Sequence, residues 1–200
     1  MPRGTRVALY RGFLLKERGL DILIQAAAYL DPATVIVLTA AGEQHAELEA
    51  QIAREGLAGR IRFIPLVPYE ELQEWTASAD LGLSIFRPDS VSVETQLSNK
   101  VFEYIMAGVP VLTSPLPAVV ELLAAYNVGR VVEAEPVTIG HAITAMLDDV
   151  EGLRRMHDNA LAAAQHELCW EIEQQRLVAL YAELSSTKRV RQKNIQMNGA

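Results

Sequence analysis

With 200 residues, half of them hydrophobic and 22% charged, the chain can bury a sizeable core, which excludes wholesale disorder. Its 18 basic and 25 acidic side chains give a formal charge of -7, which argues against a general nucleic-acid binder and leaves room only for a local cationic pocket. The single cysteine, Cys169, excludes an intrachain disulfide and fits a reducing compartment.

Apolar runs alternate with helical patterns along the chain. "RVALYRG" reads as a strand ending at Gly12, and "GLDILIQAAAYL" as a helix with Leu20, Leu23, Ile24, Ala27 and Leu30 at helical spacing. "TVIVLTAAG" is a second, β-branched strand bounded by Gly42, and "HAELEAQIAREGL" an amphipathic helix closed by Gly56. "RIRFIPLV" is a third strand, "YEELQEWTASAD" a short helix with acidic residues in its first turn, and "LGLSIF" a fourth strand. "QLSNKVFEYIMAGVPVL" supplies a helix and leads into a fifth strand, "VPVLTS". "VGRVVE" is a sixth strand, expected at an edge. Helices follow in "VTIGHAITAMLDD", "VEGLRRMHDNALAAAQ" and from Trp170 to about Leu184. The tail from 185 to 200, "SSTKRVRQKNIQMNGA", is polar and basic and is expected to be disordered.

This alternation predicts an α/β domain over 1–184: a Rossmann-like doubly wound, mostly parallel sheet of about six strands, with helices on both faces. Such sheets bind ligands beyond the carboxyl ends of their strands. The loops at 12–19, 41–44, 65–68, 86–100 and 113–118 are therefore the candidates. No apolar run approaches the ~20 residues that span a bilayer, and "MPRGTRVALY" lacks the apolar core of a signal peptide. The expectation is a cytoplasmic protein that meets a membrane only through a partner or a further segment.

Two stretches could carry chemistry. In the first, Ser98 is placed to cap a helix over Asn99 to Ala107 that Gly108 ends. The unpaired N–H groups and dipole at a helix start favour an anion, and Lys100 adds a charge. Asn99, Lys100 and Glu103 share one side of the first turns, while Val101, Phe102, Ile105 and Met106 are expected to face the core. Two readings fit Glu103 equally. Its two acceptor oxygens suit the vicinal diol of a ribose, or it pairs with Lys100 or caps a neighbouring loop. In the second stretch, "YRGFLLKERGL", Gly12 lets backbone approach a ligand closely. Arg11, Lys16 and Arg18 put three cations in or beside one short loop, which suits a diphosphate or is simply a solvated surface. No GxGxxG fingerprint occurs, which counts against a nicotinamide-dependent oxidoreductase.

"Y-x-G … R-G-L-D-x-L-I-x-A", "V-P-x-E-E-L … A-D-L-G-L", "L-S-N-K-V-F-E-Y-I-M-A-G-V-P-V", "Y-N-V-G" and "W-E-x-E … L-x-x-L-Y" together resemble the carboxyl-terminal half of group 1 (family four) retaining glycosyltransferases, which have the glycosyltransferase-B fold. The likeness runs over about residues 6 to 184, and "NKVFEYIMAGVPV" is its most specific part. The resemblance implies a nucleotide-sugar donor domain. Glu103 would hold the ribose hydroxyls, and backbone amides around Ser98 to Lys100 the diphosphate. Gly12 would lie beside the phosphates, Arg18 would neutralise them, and the base would sit near Pro65 to Val67. The residues so implied as catalytic are Arg18, Lys100 and Glu103. Those implied for the donor are Gly12, Phe13, Arg18, Pro65, Val67, Thr95, Leu97, Ser98, Asn99, Lys100 and Glu103.

The sequence also departs from that pattern. The family pairs two glutamates eight positions apart; Thr95 stands at the first position, and Glu94 is one residue off. Phe13 follows the strand-ending glycine where the family often has arginine, and Ser98 replaces the proline of a common L-P-N-K subgroup. The resemblance further implies an amino-terminal acceptor domain, from the same protein or a partner chain. Apolar surface on the last helix would then invite self-association. The family's products are polysaccharides, glycolipids and other glycosides. The alternative is a non-catalytic nucleotide-binding or assembly module on the same fold. No metal and no cofactor beyond the donor are expected. His45, His141, His157 and His166 lie on predicted helices without ligand spacing. Cys169 is expected to be a small buried side chain and Asp80 a turn or cap residue. The "SVSVET" loop lacks the G-x-S-x-G that hydrolase chemistry would need.

Overall fold

The computed structural model describes residues 4–15, 18–87 and 95–197, and the side chains of all of these but 40 and 186–197. Six strands form one sheet: β1 (Arg6–Phe13), β2 (Thr34–Ala41), β3 (Ile61–Ile64), β4 (Leu81–Ser84), β5 (Val111–Thr113) and β6 (Gly129–Val131). Every pairing is parallel, and the order is β3-β2-β1-β4-β5-β6. The sixth strand is at an edge, as expected. The helices are α1 (Leu20–Ala26), α2 (His45–Arg54), α3 (Leu72–Ala77), α4 (Asn99–Met106), α5 (Pro117–Tyr126), α6 (Pro136–Asp148), α7 (Val150–His166) and α8 (Trp170–Met197). The inner strands β4 and β5 are buried along their whole length, as strands covered on both faces are, whereas the edge strand β6 is largely exposed. Ala8, Tyr10, Ile36 and Leu38 share a core with α1 and α6, through Leu23, Ile24, Ile139 and Ile143.

The chain winds outward from β1 to β3, then returns to place β4 on the other side of β1. The loops after β1 and β4 therefore diverge, and a crevice opens between them at the carboxyl ends of the strands. Helix α4 lies across this point. Its Tyr104 is fully buried and donates to the Leu9 carbonyl at 2.9 Å, with Leu83 O at 3.3 Å. The ring rests on Gly82, where a Cβ would come within 2.5 Å of it.

Some expectations need correcting. On α4, Val101, Tyr104 and Ile105 are buried, whereas Met106 is 51% exposed and Phe102 is half-buried. The helix is turned so that Tyr104, not Phe102 or Met106, meets the sheet. Helix α5 has no counterpart among the expected elements; it starts with Pro117 in its first turn and is capped at Asn127 with φ 49. Each of two expected helices is shorter and joined to a 3-10 turn, at Ala27–Tyr29 after α1 and at Tyr69–Glu71 before α3. Helix α8 continues to Met197, past the disordered tail expected from 185, because no glycine or proline interrupts 170–197. Cys169 is half-buried rather than buried. Asp80 does not cap its own turn: it ties the approach to β4 onto β1, its carboxylate accepting from the Val7 N–H at 2.7 Å. The chain divides into two compact units, residues 1–162 and 163–200. Among the described residues no helix is long and apolar enough to cross a membrane.

Candidate functional site

The end of β1 builds the floor. Alternation along the strand sends Tyr10 and Arg11 to opposite faces. Gly12 follows with φ +139, a conformation that favours glycine. A Cβ there would lie 3.7 Å from Tyr10 Oη and 3.8 Å from Lys100 Nζ, so a larger side chain would crowd that corner. Lys100, in the first turn of α4, is only 8% exposed. Its ammonium sits 4.2 Å from the centroid of the Tyr10 ring and 4.9 Å from that of Phe86. The Phe86 ring also carries the Arg18 guanidinium, at 5.1 Å. Ser114 pins Phe86, since its hydroxyl accepts from the Phe86 N–H and donates to the Phe86 carbonyl, both at 2.9 Å. Arg18 donates to Gln96 Oε1 at 3.4 Å.

Burial pushes the Lys100 pKa down to about 7; neighbouring Arg18 and Arg11 add to the fall, and Glu103 opposes it. Burial likewise pushes Tyr10 up to about 12. The partner of Glu103 is Arg11, not Lys100: Arg11 Nη1 lies 3.2 Å from Glu103 Oε2 and donates to Thr76 Oγ1 at 3.3 Å. Thr76 in turn donates to the Leu72 carbonyl at 2.7 Å. Ser98 occupies the N-cap position of α4, but its side chain makes no capping hydrogen bond.

A cleft of about 560 Å³ opens over these groups. It gathers Gly12, Phe13 and Arg18 from around the β1 loop and Val67 from the loop after β3. From the approach to α4 and its first turns it takes Leu97, Ser98, Asn99, Lys100 and Glu103. Pro65 and Thr95, also expected at the site, are not among the lining residues. Lys16 and Glu94 lie outside the described residues, as does 90–94 of the "SVSVET" loop. Tyr10, Thr39, Tyr69, Leu72 and Gln96, which carry no site signal in the sequence, also line the cleft. Thr39 is brought there by the parallel register that sets it beside Arg11. It is 4% exposed, and its hydroxyl has no hydrogen-bond partner among the described residues. Among the described residues, no group of three or more His, Cys, Asp or Glu could hold a metal ion.

The cleft thus joins a cationic end, at Arg18, Lys100 and the α4 start, to a carboxylate one turn further along α4 and to an apolar wall at Leu66, Val67 and Tyr69. That arrangement can take an anion, a diol and a flat ring in sequence.

Residues 5–149 match the family model described as glycosyl transferases group 1. The chain is 28% identical over 197 residues to D-inositol 3-phosphate glycosyltransferase 1 of Catenulispora acidiphila, covering 90% of this chain and 45% of that protein. The structure of HepE from Anabaena in complex with UDP matches with a TM-score of 0.77 at 22% identity, over 90% of this chain and 49% of that one. The C-terminal domain of the group 1 family protein LpcC from Francisella tularensis matches with a TM-score of 0.68 at 17% identity, over 82% of this chain and 86% of that one. At such identities the structural likeness is one of fold. The chain spans about half the length of the curated relative it matches.

Proposed function

Because the chain belongs to the group 1 glycosyl transferases, we propose that it is the donor half of such an enzyme and binds a nucleotide-diphosphate sugar. An amino-terminal acceptor domain, in the same protein or a partner chain, would complete it for retaining transfer to an acceptor hydroxyl. The observation that carries this reading is the convergence of Arg18, Lys100, the α4 start and Glu103 on one cleft at the switch point of a parallel sheet.

In this reading the diphosphate lies against the first turn of α4, between Lys100 and Arg18, beside Gly12. Glu103 accepts from the ribose hydroxyls, and the base lies along Leu66 and Val67. As the glycosidic bond breaks, negative charge grows on the leaving diphosphate. Arg18, Lys100 and the helix N–H groups oppose it from fixed positions. No protein nucleophile is assigned; the acceptor hydroxyl attacks from the side of the leaving group, and no resident metal takes part. The alternative, a binding module without turnover, draws support from Thr95 standing where the family has its first glutamate.

Calorimetric titration with UDP, GDP, ADP and NAD tests the reading, and the UDP in the HepE structure makes UDP the first to try. One nucleoside diphosphate should bind. Glu103→Ala should weaken it roughly tenfold or more, the cost of one charge-assisted hydrogen-bond partner. Binding of NAD alone, or of none at millimolar concentration, overturns it. Turnover once an amino-terminal half is supplied separates the enzyme from the binding module.

A further inference from the structure

We infer that Arg11 is a positioning residue that keeps the two opposite charges of α4 apart, holding Glu103 for a ribose diol and leaving Lys100 for a diphosphate. The inference rests on the donor-site reading and assigns a role to a residue outside its set of ligand contacts.

Glu103 and Lys100 are three residues apart on one helix, a spacing at which opposite charges meet. Such a pair would quench both groups. It does not form here: the Lys100 ammonium is turned onto the Tyr10 and Phe86 rings, and Glu103 Oε2 lies 3.2 Å from Arg11 Nη1. Arg11 is well placed to impose this. Its side chain is 9% exposed against 38% for Glu103, and Thr76 on α3 holds the same Nη1 from another side at 3.3 Å. The Thr76 hydroxyl is itself tied to Leu72 O. The guanidinium is thus fixed by β1 and α3, whereas the half-exposed carboxylate is the partner free to move. A buried guanidinium without its carboxylate is costly, so the pair is held from the Arg11 side. Arg11 takes up one oxygen of Glu103, and among the described residues no partner takes the other, which is left for a ligand.

The test compares the wild type with Arg11→Met, Arg11→Lys, Glu103→Gln and the double variant Arg11→Met/Glu103→Gln. The probes are whichever of UDP, GDP and ADP binds the wild type, its 2′,3′-dideoxy counterpart, and inorganic pyrophosphate. Thermal unfolding of each variant checks the fold. The wild type should prefer the ribonucleotide roughly tenfold or more over the dideoxy form. Glu103→Gln and Arg11→Met should both lose that preference. Arg11→Met should also weaken pyrophosphate severalfold, because Glu103 then falls onto Lys100, and the double variant should recover it. A merely structural role of Arg11 would weaken all three probes alike, with no recovery in the double variant. If Arg11→Met does not fold, Arg11→Lys decides, since it keeps the charge but not the fork and should retain only part of the preference. A ribose preference that Glu103→Gln abolishes while both folded Arg11 variants keep it overturns this inference and leaves the donor reading standing. A wild type that binds no ribonucleotide overturns both.

Discussion

Lys100→Met should make the protein more stable, and more so at neutral than at alkaline pH. The Lys100 ammonium is buried against two aromatic rings, and burial brings its pKa from the ordinary lysine value of 10.5 to about 7. The unfolded chain holds that proton throughout the window between the two values, whereas the folded chain releases it near 7. Unfolding therefore takes up a proton in this window, and the stability carried by the site rises as pH rises through it. At pH 7 the site disfavours the folded state by about 4 kcal/mol relative to a side chain that binds no proton. The ring contacts favour the charged form and offset about 1–2 kcal/mol of that. Methionine has a similar length and suits the apolar box. The expected gain is about 2–3 kcal/mol at pH 7, shrinking to about 1 kcal/mol or less near pH 10. Urea unfolding followed by tryptophan fluorescence at the two pH values measures both numbers. A variant less stable than the wild type at pH 7, or a gain equal at both pH values, refutes the reasoning.

A related expectation concerns protons. Binding a nucleoside diphosphate beside Lys100 should raise its pKa, so titrations near pH 7.5 in buffers of different ionisation enthalpy should report uptake of a fraction of a proton, and Lys100→Met should abolish it; a buffer-independent enthalpy in the wild type counts against the site. Gly82→Ala places a Cβ within 2.5 Å of the Tyr104 ring and should cost about 1–3 kcal/mol of stability, read as a lowered urea midpoint; an unchanged midpoint would mean that α4 rides more loosely on the sheet than its packing implies.

The order of strands and helices was legible because each strand is an apolar run bounded by a turn signal, as at Gly12 and Gly42. Helix α5 was not, because "SPLPAVV" places one proline just before the helix and another at its first position, a pattern shared by loops and by helices that begin on proline. The extent of α8 was missed for the opposite reason: its polar, basic end carries no apolar stripe, although nothing in it breaks a helix. At the site, residues close in sequence could be grouped by helical spacing, which is how Lys100 and Glu103 came together. The choice of Arg11 over Lys100 as partner of Glu103 could not be read that way. It depends on how β1 meets α4, a contact between residues far apart in the chain. Thr39 was hidden likewise, since only the β1–β2 register brings it beside Arg11.

The same contacts explain how a chain of charge -7 keeps a cationic cleft intact. Three positive groups within one crevice repel one another, and each is relieved differently. Arg11 is neutralised by Glu103. Arg18 leans on the Gln96 carbonyl and the Phe86 ring. Lys100 is buried, makes no ion pair among the described residues, and is relieved by giving up its proton near pH 7. An incoming diphosphate would supply the counter-charge that Lys100 lacks, and the proton would return. Stability of the empty fold and affinity for an anion therefore pull against each other at this residue. A substitution at Lys100 that stabilises the empty domain removes the charge an anion would meet, so the variant that unfolds last should also be the one that binds worst.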